Sequence, residues 1–169
     1  MRTMACHIAQ LNVGITVAPL GSPELADFVA ALDGINALAE ASPGFVWRLK
    51  SDSGNATDIR GSDDPNFIVN MSVWQSVEAL FAFVYRSAHT KVMGRRRDWF
   101  TKPDQAYQVL WWVPAGHAPS VEEALARLEH LRRHGPTPHA FTFKDRYPAP
   151  DHAGELVDMK PEPYCVGWA

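Results

Sequence analysis

The chain has 169 residues, 46% of them hydrophobic, 21% charged and with a mean hydropathy of -0.20, which suits one soluble globular domain with a sizeable core and strains at two. Its formal net charge of -3 and pI near 6.1 give no general electrostatic drive toward nucleic acid or anionic lipid, so neither is an expected partner despite the local Arg95-Arg96-Arg97 cluster. No apolar run is long enough to span a bilayer, and Cys6 and Cys165, with no export segment at the start, predict a reduced, cytoplasmic protein.

In chain order, His7 to Val17 alternates as a strand, with Leu11, Val13 and Ile15 on one face and Gln10 and Asn12 on the other. Ser22-Pro23-Glu24 opens a first helix whose apolar residues Leu25, Phe28, Val29, Leu32, Ile35, Leu38 and Ala39 recur at helical spacing, ending near Ser42-Pro43-Gly44. Phe45 to Lys50 reads as a second strand, residues 51–66 as a polar loop, and Phe67 to Trp74 as a third strand. From Ser76 a second, well-buried helix carries Leu80, Phe81, Phe83, Val84, Ala88 and Val92, with Gly94 as a kink or end and partial helix through Trp99-Phe100 before Pro103. Tyr107 to Val113 is the last core strand, and Ser120 to His134 a third helix with an acidic first turn and a basic last one. Ala140 to Lys144 alternates as a further short strand, and Pro148 to Pro163 reads as an extended arm.

Strand, helix, strand, strand, helix, strand is the order of an α+β, ferredoxin-like antiparallel sheet with its helices on one face, here followed by a C-terminal helix and a proline-rich arm. Residues 1–143 are assigned to the domain and 144–169 to the arm. The uncovered sheet face, with aromatics such as Trp111 or Trp112, predicts a second copy as its cover, hence a homodimer.

The strongest site signal is the third strand. Asn70, Ser72 and Trp74 point to one side, and an amide in an otherwise apolar strand is costly to bury unless its hydrogen bonds are met, either by neighbours or by a ligand. Gln10 and Asn12 are positioned to share that polar wall. On the next helix, Phe81, Tyr85, His89, Val92 and Arg96 form one stripe, so His89 is a candidate base, with a satisfied core histidine as the plain alternative. Of Arg95, Arg96 and Arg97, at most one or two can face a pocket. His130 and His134 lack a third ligand, and no metal site is expected. Trp47, Trp111 and Trp112 suit core or dimer contacts, with Trp111 also a candidate to line the pocket. No glycine-rich phosphate loop, paired-cysteine zinc pattern or nucleophile elbow occurs.

His7-Ile8-Ala9-Gln10-Leu11-Asn12, Pro43-Gly44-Phe45-Val46-Trp47-Arg48, the run Val69 to Trp99 and Leu110-Trp111-Trp112-Val113-Pro114-Ala115-Gly116 resemble an uncharacterised bacterial family, a domain of unknown function, in the dimeric α/β-barrel superfamily. The resemblance runs from the N-terminus to about Phe143. That superfamily includes the antibiotic-biosynthesis monooxygenases, which oxidise aromatic polyketides with molecular oxygen and no cofactor. Their Asn-x-x-x-Trp strand end is similar to Asn70 and Trp74, their Ser-x-His to Ser87-Ala88-His89, and their substrate-assisting arginine falls near Arg95. Two departures stand out. A tyrosine found early in the second helix of some members meets Leu80 or Phe81, with Tyr85 one turn on, and the iron-ligating histidine of haem-degrading members falls near Met93 and Gly94, which weighs against haem there.

The resemblance implies a homodimeric, cofactor-independent monooxygenase-like enzyme for a small aromatic or polyketide-type molecule. Asn70, Trp74, His89 and Arg95 would be its catalytic residues, and Asn12, Tyr85, Arg96 and Trp111 its substrate contacts. The alternatives are a non-catalytic small-molecule-binding or stress-response barrel and a haem-binding enzyme.

Overall fold

In the computed structural model, which describes residues 5–150, the alternation of the strands becomes a division of labour between two sheet faces. Strands β1 (Cys6–Ile15), β2 (Phe45–Arg48), β3 (Phe67–Trp74) and β4 (Gln108–Pro114) pair antiparallel in the order β2-β3-β1-β4. Helices α1 (Ala26–Ala41) and α2 (Val77–Arg86) cross over on one face, giving the ferredoxin-like α+β arrangement. In register, Asn12 lies between Asn70 of β3 and Gln108 of β4, Gln10 between Ser72 and Leu110, and Ile8 between Trp74 and Trp112. Ile8, Trp74 and Leu110 anchor this face against Ala39 of α1 and Val77, Leu80 and Val84 of α2.

The odd-numbered residues form the second face, and it too is covered within the chain. Helix α5 (Val121–His134) lays Ala124, Leu128 and Leu131 on Leu11, Met71, Val109 and Trp111. Ser120 starts the helix, its hydroxyl accepting from the Glu123 amide at 3.0 Å, and Glu123 in turn accepts from the Trp111 indole at 3.3 Å. Burying Leu128 and Leu131 stabilises the contact by about 1.5–3 kcal/mol each. Trp111 is therefore fully enclosed by its own chain, and the reason for expecting a second copy on this face is removed.

Two predicted elements take a different form. The second helix breaks after Arg86: Ser87 is extended, its hydroxyl donating to the Phe83 carbonyl and accepting from the His89 amide, so a local side-chain bond replaces the helical ladder. His89 consequently begins a separate short helix, α3 (His89–Met93), followed by α4 (Arg96–Trp99). The predicted strand at 140–144 reduces to a single rung, in which Phe141 and Leu110 exchange both backbone hydrogen bonds on the outer edge of β4. Residues up to Tyr147 fold back on the domain, the Tyr147 carbonyl accepting from the Trp112 indole at 2.9 Å. The rest of the predicted arm, from 151 on, and Cys165 lie outside the described residues.

No helix among the described residues is long and apolar enough to cross a membrane.

Candidate functional site

Between the Asn70 face of the sheet and helices α1, α2 and α3 lies a cavity of about 190 Å3. Its floor is polar because β1, β3 and β4 each place an amide there: Asn12, Asn70 and Gln108 occupy one rung, with Gln10 and Ser72 on the next. Asn70 is exposed despite its central place in an inward-facing strand, which is the signature of a cavity that solvent reaches. Gln10 Nε2 donates to Asn70 Oδ1 at 3.1 Å and to Ser72 Oγ at 2.9 Å. That bond fixes which way the Asn70 amide is turned and leaves its NH2 uncommitted among the described residues. Asn12 and Gln108 make no side-chain hydrogen bond among the described residues. Gln108 is not among the site residues expected from sequence; its parity with Leu110 and Trp112, opposite Val109, Trp111 and Val113, is the signal that marks it.

His89 lines the same cavity. Its Nδ1 lies 3.2 Å from the Val84 carbonyl, which can only accept, so Nδ1 carries the proton and Nε2 keeps the lone pair. Burial pushes the imidazole below the ordinary histidine range, only partly offset by the Val84 bond, so the ring is neutral near pH 7. Phe83, 4.8 Å away, backs the ring.

Among the arginines the structure makes a choice. Arg95 points outward, bound to Asp27 at 3.0 Å and Asp98 at 3.1 Å, and does not line the cavity, so the catalytic place expected for it is not where its guanidinium lies. Arg96 does line it, half-buried between the rings of Phe100 at 4.6 Å and Tyr107 at 4.4 Å, and donates to the Val13 carbonyl at 3.0 Å. No carboxylate pairs with Arg96 among the described residues. Gly14 permits this seat, since a Cβ there would stand 2.4 Å from Phe100. Arg48 also lines the cavity, tied to Glu40 at 2.8 Å. Among the described residues no Asp or Glu lines it, so the local field favours an anion although the chain is net negative.

Three further expectations meet the geometry differently. Trp111 lies on the opposite sheet face under α5, and is corrected from a substrate contact to a core residue, because strand parity turns it away from Asn70. Trp74 shares the Asn70 face but is fully buried at its closed end, stacked on Phe83 with ring centroids 5.0 Å apart, its indole donating to Ser72 at 2.9 Å. It does not line the cavity, so its part is to support the floor rather than to clasp a ligand ring. Trp74→Ala is accordingly expected to cost about 3–5 kcal/mol of stability, measured by urea unfolding, rather than to act chiefly on ligand affinity. Tyr85 is among the lining residues, its ring packed on Phe81 at 4.7 Å and Phe143 at 5.6 Å.

The cavity roof comes from the long connection between β2 and β3. Leu49, Asn55, Ala56 and Thr57 close over it, and Asn36 of α1 donates to Asn55 at 2.7 Å, fastening the loop to the helix.

Residues 7–156 match the family described as a domain of unknown function, DUF3291, and the chain belongs to that family. The match continues past Phe143. No curated protein matches the chain. Among solved structures it is similar to SnoaB, a cofactor-independent oxygenase of Streptomyces nogalater, at 17% identity and TM-score 0.43, covering 68% of this chain and 97% of that one. It is also similar to a protein of unknown function from Nitrosomonas europaea, at 16% identity and TM-score 0.42, covering 69% and 96%. A third similarity is to a Streptomyces coelicolor monooxygenase solved with nanaomycin D, at 15% identity and TM-score 0.39, covering 70% and 95%.

Proposed function

We propose that this DUF3291 chain is a cofactor-independent, monooxygenase-like enzyme whose cavity takes a small aromatic molecule bearing an ionisable hydroxyl. One observation carries the reading: a neutral histidine with a bare Nε2 and a strand amide with an uncommitted NH2 line the same cavity, which no carboxylate of the described residues lines. His89 Nε2 takes the hydroxyl proton, and Asn70, its amide already oriented by Gln10, donates to the resulting oxyanion. Arg96, with no acidic partner among the described residues, adds a cation to the same cavity. The deprotonated, electron-rich ring then supplies the electron that molecular oxygen needs, so the protein's work is to hold the anion and exclude water.

A homodimer would have to use a surface other than the sheet face that α5 occupies.

Oxygen uptake with anthrone after dialysis against chelator tests the proposal. Oxidation of anthrone to anthraquinone consumes one oxygen molecule and releases one water, so uptake matched mole for mole to anthraquinone is the expected result. Tight binding without uptake would instead favour a binding barrel, and uptake only with added metal or flavin would overturn the cofactor-independent reading.

A further inference from the structure

The rung of amides on the cavity floor is longer than a single oxyanion requires. Asn70, Asn12 and Gln108 stand side by side on three neighbouring strands, and the last two are half-buried with no side-chain hydrogen bond among the described residues. Half-buried amides without a protein partner keep their donors and acceptors turned to the cavity, where a ligand can replace water on them. Resting on the function proposed above, we infer that Asn12 and Gln108 form a second oxygen subsite, which selects an aromatic ring carrying two oxygens.

Strand spacing gives the separation. Neighbouring strands lie roughly 5 Å apart, which is about the distance between oxygens placed meta on one ring. With the reacting oxygen on Asn70, a meta oxygen falls at Asn12, one strand away, where the longer side chain of Gln108 reaches toward it from the strand beyond. Each amide offers both a donor and an acceptor, so the pair binds a hydroxyl as well as a ketone. The ring lies between this floor and apolar groups of α1 such as Leu32 and Ile35. Gln108 and Asn12 thus act on selection between ligands, whereas Asn70 and His89 act on the chemistry.

The probes are 1-naphthol, with one oxygen, and 1,3-dihydroxynaphthalene, with two set meta, titrated calorimetrically under nitrogen into the full chain and into Gln108→Leu. The wild type is expected to bind the diol roughly three- to tenfold tighter than the mono-ol, the range of one net hydrogen bond. Gln108→Leu is expected to abolish that preference while 1-naphthol affinity stays within about twofold, since the substitution leaves the Asn70 subsite in place. If Gln108→Leu fails to fold, Gln108→Ala gives the same comparison. A preference that survives these substitutions, or affinities for both probes that fall together, would overturn the second subsite. Equal binding of both naphthols by the wild type would overturn it while leaving the proposed function standing; binding of neither would overturn both.

Discussion

Asn70→Ala is expected to lower kcat on the order of a hundredfold, with a much smaller change in KM. The asymmetry follows from what the amide does. Gln10 holds the Asn70 oxygen at 3.1 Å, so the NH2 is already aimed and little reorganisation is needed when charge develops on the ligand oxygen. A donor to a neutral hydroxyl contributes modestly to binding, but to an oxyanion it contributes far more, so its loss is felt chiefly in the transition state. Steady-state kinetics with any accepted phenol would show it, and a fully active Asn70→Ala would remove the oxyanion role. Gln10→Ala is a useful companion, because it frees the Asn70 amide to turn without removing it.

His89→Gln is expected to reduce kcat/KM by about a hundredfold to ten-thousandfold, the span typical of removing a general base. Glutamine preserves size and a polar tip but cannot take the proton. In the wild type, burial depresses the His89 pKa, so the acid limb of the pH profile should fall below the ordinary histidine range: activity persists while Nε2 is bare and is lost as pH drops through the depressed value. The unfolded chain takes up that proton before the folded one does, so stability also declines as pH falls below the ordinary range, and a melt at each pH separates the two effects. A variant that kept both full activity and the acid limb would assign the proton to another group.

The sheet was legible because alternation in four short strands is a strong signal, and the order of elements left few topologies open. What alternation does not encode is depth along a strand. Asn70 and Trp74 share a face, yet one stands on the open floor and the other is sealed by Phe45 and Phe83. Nor does it encode register between strands, which decided that the Gln108 parity of β4 joins Asn12 and the Trp111 parity takes the opposite face. Around His89, the helical stripe put the histidine and Arg96 together, but through a continuous helix; the Ser87 break was hidden because its cause is one hydroxyl bonding its own backbone. Arg95 and Arg96 were indistinguishable by composition, and the choice rests on two carboxylates, Asp27 and Asp98, that draw the first outward.

Helix α5 places a constraint on how the chain is made. Synthesis runs from β1 to β4 before α5 exists, so Leu11, Met71, Val109 and Trp111 can be assembled into a sheet whose outer side is still wet and adhesive. The ligand-facing half takes Ala39, Val77, Leu80 and Val84 from segments upstream of β4, and only Phe141 and Phe143 of its buried members from beyond α5. The core therefore closes in stages: α1 and α2 can dock on one side of the sheet first, the other side is sealed once α5 has left the ribosome, and Phe141 and Phe143 complete the cavity-side core last.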